Sequence, residues 1–65
     1  MNLTKRQLDV CKYLIKGSKN IEIAHALNLS KHTVKAYISE IILAYNAKNR
    51  TNLAYILGKE NILLL

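Results

Sequence analysis

Residues 20–39 read NIEIAHALNLSKHTVKAYIS, and this stretch decides the fold. Ile21, Ile23, Ala24 and Leu27 recur at close to helical spacing, which predicts a short helix. Leu29 and Ser30 come next, and a serine hydroxyl is a good N-cap for a second helix opening at Lys31. That helix has its own apolar stripe of Val34, Ile38, Ile41, Ile42 and Tyr45, in steps of four, three, one and three. Between the stripes stands Asn28, one of the few residue types besides glycine that tolerates a left-handed backbone. Ala24 is small where two steeply crossing helices come closest. Two short helices, a tight turn and a cationic start to the second helix read as a helix-turn-helix.

Upstream, a helix is predicted over residues 5–16. Thr4 can cap it, Gln7 stands three residues later as in a capping box, and Leu3 with Leu8 has the placement of a hydrophobic staple. Leu3, Leu8, Val10, Cys11 and Leu14 are its core candidates. Lys16 suits the negative end of the helix dipole, and Gly17 is a natural terminator. The second helix is expected over residues 20–27 with Ser18 or Asn20 as its cap. The third covers residues 31–45, about 22 Å long, and Asn46 ends it. A fourth opens between Asn49 and Thr51 and runs to Leu57, with Gly58 as its stop and Leu53, Ile56 and Leu57 facing the core.

Composition narrows the class. The 65 residues make one domain, 1–65, near the lower size limit for folding without a staple. A single cysteine excludes an internal disulfide and a zinc cluster. Half the residues are hydrophobic, proline is absent and glycine occurs twice, so an all-α fold is the natural class. Ten Lys and Arg against four acids give a net charge of +6. That balance suits a polyanion, nucleic acid or an anionic membrane, or simply keeps a small protein soluble. No apolar run reaches the ~20 residues of a membrane span, and no signal peptide is visible. The expected place is the cytoplasm. Met1 just before the first helix favours a whole protein, although an excised domain would look the same.

Several pieces then fall into a known order. Leu3-Thr4-x-Arg6 with Asp9, then Gly17, Glu22-Ile23-Ala24, Leu27-x-Leu29-Ser30-x-x-Thr33-Val34-Lys35, Ile41 and Lys48-Asn49-Arg50-Thr51 resemble the LuxR/FixJ/NarL-type DNA-binding domain, whose small members are GerE-like. The resemblance runs from Leu3 to about Ile62, and is most specific at residues 30–35 and at Arg50-Thr51. It implies a bacterial transcription regulator with a four-helix domain whose third helix enters the major groove, often as a homodimer through the fourth helix. Carried over by position, Lys35, Ala36 and Ser39 face base edges. Asn20, Lys31, Thr33 and His32 lie near phosphates. Lys48, Asn49 and Arg50 brace the loop before the fourth helix, with Lys48 and Arg50 available to the backbone. The partners implied are duplex DNA, a second copy, and RNA polymerase or another regulator of this type. There are departures: Lys19 stands where a Ser or Thr cap is usual, Gln7 where Glu is expected, and Tyr37 where His is common. Leu43 and Ala44 stand where basic residues often continue the positive face.

The residues support this chemistry independently. Lys31, Lys35 and Ser39 recur every four positions and so share one helix face. A lysine there can reach guanine O6 and N7 or a phosphate, serine can donate or accept, and Ala36 can pack a thymine methyl. The plainer reading is a solvated amphipathic face. His32 either meets phosphate or is simply exposed, and His25 is a surface residue. Arg50 either binds phosphate or pairs with an acid such as Asp9 or Glu22. Cys11 lies on a core stripe, and no ligand spacing links it to a histidine. The four acids are scattered, and no phosphate loop, serine elbow or cofactor signature is present. No catalysis, metal or cofactor is expected. The tyrosines lack the strand spacing of an RNA-stacking sheet. Tyr45 is placed in the core and Tyr55 near a dimer surface.

On the fourth helix, Ala54, Tyr55 and Gly58 share a side that can meet a second subunit. The alternative is a monomer whose apolar tail, residues 62–65, folds back on the first helix. A rival function is a small interaction protein that pairs with a larger LuxR-type regulator and antagonises it. The apolar Leu43 and the tail keep that rival in play. A membrane-active basic peptide fits poorly, because the apolar residues occupy several faces.

Overall fold

Four helices, α1 (Lys5–Ile15), α2 (Asn20–Leu27), α3 (Lys31–Ala44) and α4 (Arg50–Lys59), follow one another in a computed structural model that describes residues 3–60. The apolar tail at residues 62–65 lies outside the described residues. The all-α architecture expected from the sequence is the observed one. α2 packs on α3 as the helix-turn-helix pair, and α1 crosses behind to meet α3 and α4.

Each helix begins and ends for a local reason. Thr4 Oγ1 accepts from the Gln7 N–H at 3.2 Å, and Gln7 Oε1 accepts from the Thr4 N–H at 2.9 Å, closing the capping box on α1. Ser30 Oγ accepts from the Thr33 N–H at 3.0 Å at the start of α3. Asn49 Oδ1 does the same for the Asn52 N–H at 2.8 Å at the start of α4. Three stops share one device. Gly17 (φ 81°), Asn28 (φ 56°) and Asn46 (φ 53°) turn left-handed after α1, α2 and α3. The residue after each then donates back into the last turn: Ser18 to the Tyr13 carbonyl, Leu29 to Ala24 and Ala47 to Ile42, at 2.9–3.1 Å. The asparagines do here what glycine usually does.

The core draws on every helix. Val10, Cys11 and Leu14 come from α1, Ile23 and Ala24 from α2, Val34, Ile38 and Ile41 from α3, and Leu53 and Leu57 from α4. Leu3, Leu8 and Tyr45 pack against its edge.

Four expectations need correction. Neither Ser18 nor Asn20 caps α2. The cap position is Lys19, whose side chain has no acceptor; instead Glu22 Oε1 takes the Lys19 N–H at 2.6 Å, and Asn20 is the first helical residue. Ile21 is 48% exposed, because α2 is only two turns long and its core face is filled by Ile23 and Ala24. α3 closes at Ala44 with Tyr45 as its cap, one residue short of the apolar stripe. Gly58 does not stop α4. It is a helical residue, and the helix continues to Lys59 with Glu60 as cap. A glycine without a left-handed φ and without a following breaker does not end a helix.

Candidate nucleic-acid interface

The exposed stripe of α3 follows from what its other side buries. Val34, Ile38 and Ile41 are fixed in the core, so at 100° per residue the opposite face carries His32, Ala36 and Ser39, with Lys35 at its edge, while Lys31 is exposed as the first residue of the helix. All five are exposed. Thr33 is half-buried at the edge of this stripe, its hydroxyl 3.0 Å from that of Ser30. The stripe, with the first residue of the helix beside it, thus brings together the three residues expected at base edges and three of those expected at phosphates. It also continues past them to Glu40, Leu43 and Ala44, all exposed. Glu40 was not singled out from the sequence. Its signal was available, since it follows Ala36 by four positions.

The remaining expected phosphate ligands sit on other elements. Asn20 opens α2 and is half-buried. Lys48 is exposed in the loop before α4, and its backbone N–H is held by Asn52 Oδ1 at 2.9 Å. Asn49 Oδ1 accepts in turn from the Asn52 N–H, so the two asparagine side chains together fix the loop carrying Lys48. Asn52 was missed because its role depends on the chain turning back on itself at residues 46–49.

Arg50 departs from the reading that paired it with an acid. It pairs with neither Asp9 nor Glu22. Nη1 donates to Asn20 Oδ1 and Nη2 to the Ser18 carbonyl oxygen, so the planar fork bridges the first residue of α4 to the start of α2. These residues border an open groove of about 510 Å³ whose other walls include Leu14, Gly17, Lys19 and Ala54. A second inter-helix tie was also missed: Arg6 Nη1 donates to the Leu27 carbonyl oxygen at 3.3 Å, closing the C-terminal end of α2. Long-range partners of this kind leave no periodic trace in a sequence.

Other candidates resolve simply. Cys11 is wholly buried, and burial pushes its thiol from the ordinary 9.0 up to about 11, which keeps it protonated and inert. Asp9, half-buried, lies 4.0 Å from the exposed Lys5 one turn before it. His25 is exposed on α2, as expected. Tyr55 is 66% exposed and Leu43 82% exposed, while Ala54 is half-buried beside them in sequence and Gly58 is exposed. No described helix is long and apolar enough to cross a membrane.

A cationic helix face, presented by a capped turn from a four-helix body, is the geometry to set against known proteins. The family model for GerE, bacterial regulatory proteins of the luxR family, matches residues 1–57. This chain belongs to the luxR family. Its relatives are regulators. It is 38% identical to the two-component response regulator PprB of Pseudomonas aeruginosa over 86% of this chain and 20% of that protein. With the nitrate/nitrite response regulator NarP of Escherichia coli it shares 42% identity over 74% of this chain and 22% of that protein. With the uncharacterized transcriptional regulatory protein YvfU of Bacillus subtilis it shares 44% identity over 83% of this chain and 27% of that protein. The chain thus spans a fifth to just over a quarter of the length of these relatives. As a luxR-family helix-turn-helix, it is a DNA-binding domain of the bacterial regulator class.

Proposed function

We propose that this luxR-family chain reads a specific duplex site with α3 in the major groove and does so as a homodimer joined through α4. The observation that carries the reading is the exposed stripe of α3, with Lys35, Ala36 and Ser39 held outward by the burial of Val34, Ile38 and Ile41. Phosphates supply much of the affinity through Lys31, His32, Thr33, Asn20 and Lys48, and the three outward residues supply preference among bases. Ala54, Tyr55 and Gly58 form the face that meets the second copy. A regulator of this kind acts beside RNA polymerase or with a related regulator.

In vitro selection from random duplex DNA tests the reading. Enrichment of a two-fold symmetric site is the expected result; a folded chain that enriches nothing would overturn it. On the enriched duplex, Lys35→Ala should cost about 1–3 kcal/mol and relax preference at one base pair, as a direct base contact requires. Lys31→Ala should instead weaken all sequences alike and lower the salt slope by about one. Equal behaviour of the two variants would dissolve the distinction between reading and anchoring.

One observation favours a second reading, an antagonist that pairs with a larger luxR-family regulator. Leu43 is 82% exposed on the face that would otherwise carry charge. Mixing with candidate regulators and measuring mass separates the two: a stable heterocomplex that no longer binds DNA supports the antagonist.

A further inference from the structure

We infer that Arg50 is a positioning residue for DNA binding: its fork onto Ser18 and Asn20 fixes the pose in which Asn20 meets a phosphate, and so joins α4 to the DNA-facing start of α2. The inference rests on the reading above, in which the start of α2 lies against the DNA backbone.

The chemistry of the fork orients Asn20. A guanidinium has only donors, so the atom of the Asn20 side chain facing it must be the amide oxygen. The amide nitrogen, with its two hydrogens, is then turned away from Arg50. Asn20 alone would rotate freely about its side-chain bonds, so before DNA arrives its amide would face outward with oxygen as often as with nitrogen. Arg50 removes the repulsive orientation. The start of α2 also has donors to offer, because Lys19 cannot cap it as Thr4, Ser30 and Asn49 cap the other helices.

Charge gives Arg50 no reason to be where it is. It occupies the first position of α4 and touches the first turn of α2, so it sits beside two helix N-termini, both positive ends of a dipole. It is half-buried, and both terminal nitrogens are engaged by oxygen atoms of the protein. Hydrogen-bond geometry is what this position uses. Lysine would supply the same charge but not the planar fork. α4 also carries Ala54, Tyr55 and Gly58, so a shift of α4 when a second copy docks is passed by Arg50 to the phosphate-facing end of α2.

The test uses the duplex enriched by the unaltered chain, with affinity, salt slope and thermal midpoint measured for each variant. Arg50→Lys should weaken binding about tenfold, with the slope of log K against log salt unchanged. Asn20→Ala should weaken it by a similar factor, and the double variant should be no weaker than Asn20→Ala alone. Asn20→Asp guards against a folding artefact. It keeps an acceptor for Arg50, so the thermal midpoint should hold or rise, yet it replaces the outward donor with a carboxylate oxygen and should lose DNA affinity. Wild-type binding by Arg50→Lys or by Asn20→Asp would overturn the inference. So would additive losses in the double variant, or a slope reduced by about one in the charge-removing Arg50→Gln, which would make Arg50 itself a phosphate ligand. If Lys31→Ala weakens binding as expected while these variants fail, only the positioning role falls. If the unaltered chain enriches no duplex, both fall.

Discussion

At the scale of single residues, one side chain links burial to pH. Cys11 is fully buried, and its thiol is pushed up to about 11. The folded state therefore holds the proton more tightly than the unfolded chain does. This contribution to stability is complete below the ordinary value of 9.0 and is lost as pH rises through about 11. Two units correspond to about 2–3 kcal/mol. Tyr45 titrates in the same direction, raised by burial and by the Glu60 carboxylate, so it adds to the alkaline loss. Denaturant melts between pH 8 and 11 should show stability falling, with a shallower fall in Cys11→Ala, whose midpoint at pH 8 is already lower because a buried sulfur is gone. An identical slope in that variant would show that Cys11 is not the group titrating. A thiol reagent should likewise label the folded chain only as fast as it opens. Residue identity alone placed Cys11 in the core, through its position on the stripe with Val10 and Leu14. Arg50 shows the opposite case: its type was read as charge, while its partners, an amide and a carbonyl thirty or more residues away, belong to the tertiary fold.

At the scale of elements, the helices were legible wherever start and stop signals were local. Thr4 with Gln7, Ser30 with Thr33, and the left-handed Gly17, Asn28 and Asn46 act within four residues, and the spacing of the chain reports them directly. The errors fall where the usual signal is missing or where one residue type serves two ends. α2 starts through Glu22 reaching back to Lys19, because the usual hydroxyl cap is missing. Gly58 looked like a terminator and is an exposed helical residue with open space around a built-on Cβ. Glycine inside a helix costs about 0.5–1 kcal/mol relative to alanine. Gly58→Ala should therefore stabilise the isolated fold by that amount, read as a higher thermal midpoint of the dilute chain. If Gly58 lies at a close approach between two copies of α4, the same substitution should weaken self-association. A higher midpoint with unchanged association would remove Gly58 from the interface and leave Ala54 and Tyr55 to carry it. The exposed stripe of α3 was legible for the same reason as the helices: burial of one face dictates the other. Beyond Ser39, Leu43 and Ala44 were weighed only as breaks in the positive face, and Glu40 was not singled out because it breaks the positive pattern that drew attention to the stripe.

At the scale of the whole molecule, size decides how much DNA one copy can cover. The described body measures 26 × 23 × 21 Å, shorter in every direction than one turn of B-DNA, about 34 Å. On the proposed reading, a single α3 covers one half-site, with few phosphates in reach and an affinity set largely by salt. Two copies on adjacent half-sites convert the second binding event into a nearly intramolecular one, which raises affinity without a new base contact. The protein contact that holds them together has to be exposed in the monomer and apolar enough to associate, and Tyr55, 66% exposed on α4, meets both conditions. Because it is exposed, Tyr55→Ala should change the stability of the fold by less than about 0.5 kcal/mol. Sedimentation should show the unaltered chain moving from monomer to dimer with concentration, and the variant remaining monomeric over the same range. On DNA, binding to one half-site should be unchanged, while the steep, cooperative filling of paired half-sites should become two independent steps. Retained cooperativity in Tyr55→Ala would move the subunit contact off this face, and Leu43, on the far end of α3, would be the next surface to alter.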